Sequence, residues 1–340
     1  MNVLTAILLV VSFITFKFYQ STKVPKGLKN VPTLSFLDFL ITIYINAGPD
    51  KRWEYARETL EKEGIAKAWS NGNWVLVVTD LELAKDILTK TDLYPKALLK
   101  ESFPKSLLTQ YYGVNLVFSN GDEWKRHRRI ANPSFRNLPV HVFVESATKL
   151  LNIVEKIDNE PIEVNNLMHR LTLDVLGKAA FGFDFNNLED PNNVYVTAYK
   201  EVMEEFRNPL YFVFSFLDNL PRSEATKKIA KLNNLYDGIV ESKRKSMKMD
   251  ELEKKINNNS ADLLERMIYA CKDPENPTLT NEELRHDLAI FMLAGHDTIR
   301  KYEISLPEDS IHKDKLQIEP DVSGTSGPHP VPLIFKRRTE

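Results

Sequence analysis

Cysteine is the scarcest resource of this sequence. Cys271 is the only one in 340 residues, so no disulfide can close within the chain and no multi-thiolate zinc or iron–sulfur site can be assembled. A charge surplus is also missing. Lys and Arg total 45 against 47 Asp and Glu, a net charge of −2, without the cationic excess of a nucleic-acid-binding protein. Glycine (12) and proline (18) are too few for collagen-like or low-complexity classes. There is no Walker-type phosphate loop, no G-x-S-x-G elbow and no G-x-G-x-x-G turn, which leaves kinase, hydrolase and dinucleotide-binding readings unsupported. The seven histidines form no His-x-x-x-His or His-x-x-Glu pair, so no histidine metal site is expected.

One long hydrophobic run is present. VLTAILLVVSFITF, Val3 to Phe16, carries no charge, and Met1 to Tyr19 gives 19 residues. At about 1.5 Å per residue these cover about 28 Å, close to a hydrocarbon core of about 30 Å. Residues 1–20 therefore read as a transmembrane anchor, with a buried amino-terminal helix as the bland alternative. No Lys or Arg precedes Lys17 and no A-x-A site follows, which argues against a cleaved signal peptide. Lys17, Lys23, Lys26 and Lys29 all lie on the carboxyl side, so the positive-inside rule places the rest of the chain in the cytosol. Pro25, Gly27 and Pro32 make residues 21–35 a stiff linker.

The remainder reads as mainly α with a small β-sheet. Helical spacing runs from Asp50 to Glu63 and stops at Gly64. Ala68–Ser70 and Trp74–Val78 flank Asn71-Gly72-Asn73, a hairpin signal because both turn residues favour positive φ. Thr79 or Asp80 can cap a helix to Thr89. Further helices are expected over Asp122–Ile130, Val140–Ile157, Val164–Ala180, Tyr195–Phe206, Ser223–Met247, Ala261–Ala270 and Thr280–Ile299. Met249–Ser260, charged and Asn-rich, reads as a mobile connection, and Leu333–Phe335 as a short strand.

Two segments stand out chemically. Trp124-Lys125-Arg126-His127-Arg128-Arg129 is the densest cationic cluster; Trp124 and Arg128, four apart on a helix, put an indole N–H and a guanidinium on one face, a pair suited to gripping carboxylates. The bland reading is a solvated cationic face. Thr280 to Thr298, TNEELRHDLAIFMLAGHDT, opens with the capping box Thr280/Glu283 and becomes apolar from Leu288. Ala294 and Gly295 before Asp297 and Thr298 would leave a slot beside a carboxylate and a hydroxyl, wide enough for a flat ligand or dioxygen. The bland reading is a buried helix packed through its glycine.

These pieces, Trp124-x-x-x-Arg128 with Asn132-Pro133-Ser134-Phe135, LTLDVLGKAAFGFDF at Leu171–Phe185, and Ala294-Gly295-His296-Asp297-Thr298, follow in an order that resembles a microsomal, fungal-like cytochrome P450 over about Phe36 to Ile299. The resemblance implies a helical haem-thiolate monooxygenase on the cytosolic face of the endoplasmic reticulum. It implies an NADPH-dependent flavoprotein reductase as electron donor and a lipophilic substrate. It implies that Trp124 and Arg128 hold a haem propionate, that Ala294 and Gly295 line the dioxygen groove, and that Asp297 and Thr298 deliver protons there. A substrate-facing loop would lie around Leu98–Val117 and a second lid near Asn208–Asn219.

The chain departs from the family after Thr298. The Glu-x-x-Arg helix and the glycine-loop cysteine that ligates iron in the family do not follow; the five Glu-x-x-Arg matches, the last at Glu282–Arg285, all lie upstream, and Cys271 has no glycine loop around it. RKYEISLPEDSIHKDKLQ onward resembles the extreme carboxyl end of such proteins. The expectation is an incomplete fold: residues 36–299 as the amino-terminal part, residues 300–340 as a remnant, joined by an internal loss between Ile299 and Arg300. With no iron ligand, the chain is expected to lack monooxygenase activity. A non-enzymatic, haem-free, membrane-anchored binding protein is the alternative.

Overall fold

A computed structural model gives the fold. It describes residues 22–38, 49–70, 73–136, 139–156, 162–206, 215–272 and 278–294, the strand residues 302–305, 318–320, 326–328 and 332–337, and isolated positions at 5, 8, 11–13, 15–16, 19–20, 41 and 211. The chain divides into two compact units.

The first unit comprises residues 1–95, 207–221 and 318–327. Helix α1 (Pro49–Glu63) ends at Gly64, whose φ of +68° suits glycine and whose carbonyl accepts the N–H groups of Thr79 and Asp80, both at 2.9 Å. Strands β1 (Ile65–Ser70) and β2 (Asn73–Val78) form the expected antiparallel hairpin, Ile65 opposite Val78 and Trp69 opposite Trp74; Asn71 and Gly72 lie outside the described residues. Asp80 caps α2 (Leu81–Thr89) by accepting the Leu83 N–H at 2.7 Å.

The linker is tied down by a buried lysine. Lys67 on β1 donates from Nζ to the carbonyls of Leu28 (2.9 Å) and Val31 (2.6 Å), while its backbone bonds Pro32 and Leu34. Lys67→Met would strand two carbonyls and should cost about 1–3 kcal/mol, read as faster hydrogen exchange at the Leu34 amide. Among the described residues no helix is long and apolar enough to cross a membrane. The expected anchor falls partly outside them; its described residues Leu8, Val11, Phe13 and Phe16 are helical and exposed.

The second unit comprises residues 96–206, 222–317 and 328–340. In order come α3 (Leu99–Ser102), α4 (Leu107–Tyr112), α5 (Gly121–Ala131), a 3-10 turn at Asn132–Phe135, α6 (Val140–Glu155), β3 (Ile162–Glu163), α7 (Val164–Leu176), α8 (Val194–Phe206), α9 (Ser223–Ser246), α10 (Met249–Asn257), α11 (Leu263–Ala270), α12 (Asn281–Leu293) and β4 (Tyr302–Ser305). Two short strands, β5 (Ile318–Pro320) and β6 (Ser326–Pro328), pair with each other and belong, but for Pro328, to the first unit, while β7 (Pro332–Arg337) lies between β3 and β4, antiparallel to both. The expected strand at 333–335 is thus present and longer.

Leu150 and Val154 of α6 interlock with Leu167 and Leu171 of α7 and with Leu188. Below α7, the buried Asp174 accepts the N–H groups of Asn187 (2.6 Å) and Leu188 (2.9 Å), fixing the return of the chain. Within Leu171–Phe185, α7 passes into a π-turn at Gly177–Phe181, and a Cβ on Gly177 would collide with Phe185. This stretch carries packing rather than chemistry.

Three expectations need correction. Residues 249–257 are helix α10, not a mobile connection: Leu252 is buried, and Asp250 and Glu251 in the first turn with Lys254 and Lys255 in the last complement the helix dipole. The segment Leu98–Val117 contains α3 and α4 rather than an open loop. Helix α12 ends at Leu293, short of the expected Ile299; Ala294 adopts φ −98°, ψ 82° and its N–H bonds back to Phe291 in a tight closing turn. Ala294 is exposed, so burial does not favour carrying the helix onward.

Candidate functional site

The cationic cluster divides by helix face. Trp124, Lys125, Arg128 and Arg129 of α5 are exposed, whereas Arg126 is half-buried and His127 fully buried, both turned toward α12. Arg126 forks onto the Glu283 carboxylate, NH1 donating to Oε2 at 3.0 Å and NH2 to Oε1, and also reaches the Thr278 carbonyl at 2.7 Å. His127 Nδ1 lies 2.6 Å from Asp287 Oδ2, and its Nε2 is 3.8 Å from Glu283 Oε1. Asp287 Oδ1 accepts the Leu116 N–H at 2.8 Å. One buried carboxylate therefore joins α12, α5 and the turn between α4 and α5.

Electrostatics follow from this geometry. Burial alone would push His127 down, but the carboxylates of Asp287 and Glu283 outweigh it and raise its pKa to about 9. Burial would raise Glu283, yet His127, Arg126 and the Thr280 capping box hold it well below the usual carboxylate range. Glu283 thus serves twice: its backbone N–H donates to the capping Thr280 Oγ1 at 3.1 Å and its side chain accepts the Thr280 N–H at 2.8 Å, while the same carboxylate meets Arg126. Glu283 and Asp287, one helical turn apart, are the site residues that the sequence reading passed over. The signal was available: carboxylates at i, i+4 in an apolar helix, matched by adjacent cations Arg126 and His127.

Next to this clasp, Gly113 ends α4 with φ +43°, and the His286 ring fills the space a Cβ would occupy. Gly113→Ala should cost about 2 kcal/mol from the left-handed backbone and the clash together, measured by urea unfolding.

Of the residues expected to serve a ligand, Trp124 and Arg128 share one exposed face of α5, and among the described residues their side chains have no hydrogen-bonded partner. An indole N–H and a guanidinium so placed fit one anionic group. Ala294 is exposed just past the end of α12, not within the helix. Gly295, Asp297 and Thr298 lie outside the described residues. Phe135 packs on Phe291 at 5.9 Å between ring centroids, so the turn after α5 also docks on α12. Cys271 follows the last turn of α11, its N–H bonded to the carbonyls of Met267 and Ile268, and burial pushes its thiol up to about 11. It is a neutral thiol, not a thiolate ligand.

A mainly helical unit with a small antiparallel sheet places the chain in the mainly α class. The cytochrome P450 family model matches residues 36–300, and the chain belongs to that family. It is 24% identical over 280 residues to Cytochrome P450-DIT2 of Saccharomyces cerevisiae, covering 79% of this chain and 54% of that protein. It is 25% identical over 269 residues to Cytochrome P450 4A2 of Rattus norvegicus, covering 73% and 50%. With LUTEIN DEFICIENT 5, chloroplastic, of Arabidopsis thaliana it shares 27% over 239 residues, 66% and 38%. The chain spans about half the length of the curated relatives it matches. Haem is the cofactor that the family implies. The donor set here does not fit a haem-thiolate: the single cysteine follows the last turn of a helix, and burial pushes its thiol up.

Proposed function

We propose that this polypeptide derives from a haem-thiolate monooxygenase, an enzyme inserting one oxygen atom of dioxygen into a lipophilic substrate with electrons from an NADPH-dependent flavoprotein reductase, and that it does not itself perform that reaction. The observation that carries the reading is the cysteine count. Cys271 is the only thiol in the chain, and burial keeps it protonated. Without an axial thiolate, the electron push that favours O–O cleavage is not available.

In this reading Trp124 and Arg128 are the anion grip, and Ala294, Gly295, Asp297 and Thr298 are the family's dioxygen-side residues left without chemistry. The family match stops at residue 300, which supports an internal in-frame loss between Ile299 and Arg300. Residues 1–20 anchor the chain in the endoplasmic reticulum membrane, with the remainder on the cytosolic side. The full chain incubated with haem, reduced and treated with carbon monoxide should show no thiolate-type Soret band. A thiolate-type band abolished by Cys271→Ser would overturn the reading.

A haem-free binding protein is the second reading, favoured by one observation. Helices α5 and α12 are held together by side chains of the protein itself, Arg126 on Glu283 and His127 on Asp287.

A further inference from the structure

The β1–β2 hairpin has one covered edge and one open edge. On the outer side of β1, the Leu34 N–H donates to the Lys67 carbonyl at 2.8 Å and the Lys67 N–H to the Pro32 carbonyl at 2.7 Å, so the linker occupies that edge. On the outer side of β2, no strand pairs among the described residues. Every second residue of β2 turns its N–H and C=O away from β1. Edge strands in folded proteins are ordinarily blunted by charge, proline or a bulge. Asn73-Trp74-Val75-Leu76-Val77-Val78 has no charge and no proline, and its pairing with β1 runs without a bulge through all six positions. Val75 and Leu76, which point to opposite faces, are 40% and 46% exposed, so each face carries an exposed apolar side chain beside the open edge.

We propose that β2 is a self-association edge, pairing antiparallel with β2 of a second copy to make a continuous four-stranded sheet. The charge pattern selects a second copy as occupant. Two antiparallel neighbours in one sheet are related by a two-fold axis perpendicular to it, and this axis seats one residue opposite itself: Val75 opposite Val75, or Leu76 opposite Leu76. A charged residue at that position would meet its own like. Here the axis position and its neighbours on both sides are apolar, and the pairing satisfies the outward backbone groups of both copies at once. The inference is independent of haem binding.

The test uses the full chain in detergent. Sedimentation across roughly a hundredfold range of concentration should show a concentration-dependent dimer, with the outward amides of β2 among Trp74, Leu76 and Val78 exchanging at least about tenfold more slowly in the dimer. Val75→Lys and Leu76→Lys, at exposed positions that leave the hairpin pairs intact, should shift the mass to the monomer with unchanged circular dichroism. Leu88→Lys, on the solvent side of α2 where Leu88 is 77% exposed, should leave the dimer unaffected. A wild-type monomer throughout the range overturns the proposal. So does self-association that survives both β2 substitutions, or dispersal by Leu88→Lys but not by Val75→Lys, which would place the contact on α2 or on the amino-terminal run.

Discussion

Asp287→Ala will unfold the clasp between α5 and α12 at a cost of about 3–5 kcal/mol, the range for removing one member of a buried ion pair. The carboxylate has two partners, the fully buried His127 Nδ1 at 2.6 Å and the half-buried Leu116 N–H at 2.8 Å. Its loss leaves a buried imidazolium facing only Glu283 and an amide with no acceptor. Against a total stability of about 5–15 kcal/mol, this is enough to depopulate the native state at moderate urea. Asp287→Asn keeps an acceptor for Leu116 and relieves the need for a charged histidine, so it should cost less than half as much. Equal losses for the two substitutions, measured by urea unfolding, would show that the carboxylate charge is immaterial.

Raising the pH will destabilise the protein through His127. Its pKa is about 6.5 unfolded and about 9 folded, so the protonated form is favoured by folding. The associated stability is fully present below about pH 6.5 and is lost as pH rises through about 9, amounting to roughly 3 kcal/mol over that window. The acid side runs the other way: Glu283, held low in the folded state, contributes stability above the ordinary carboxylate range and loses it as pH falls below. The buried Cys271 thiol ionises more readily once unfolded and adds to the alkaline loss only near and above pH 9. His127→Gln should therefore flatten the slope of unfolding free energy between pH 6.5 and 9 while leaving the acid limb in place. An unchanged alkaline slope in that variant would remove His127 from the account.

Most of the helices were legible because their apolar residues repeat at helical spacing and their ends carry recognisable caps. Asp80, Thr280 and the Asn-Gly hairpin signal each named an element boundary within a few residues. Helix α10 was not legible: its nine residues hold one buried side chain, Leu252, too few for a periodic signal, and the charges that looked like a solvated connection instead complement its ends. The short end of α12 escaped for the opposite reason. The apolar run through Met292 continues the helical pattern, but Ala294 is exposed, and most helical stability comes from burial of a face rather than from propensity.

By itself, the sequence determined the family, through ordered local motifs, and left Cys271 as its single thiol, through a count of one cysteine; both depend on residue identity and order, which need no coordinates. Tertiary structure decided how the cationic cluster is divided. Trp124 and Arg128 face solvent while Arg126 and His127 are spent on Glu283 and Asp287, more than 150 residues away along the chain. The same holds for Lys67, whose burial against the linker carbonyls no local pattern announces. The physical reason is common to both. A charge is defined by what surrounds it, and in a folded chain those surroundings come from segments that are remote in sequence.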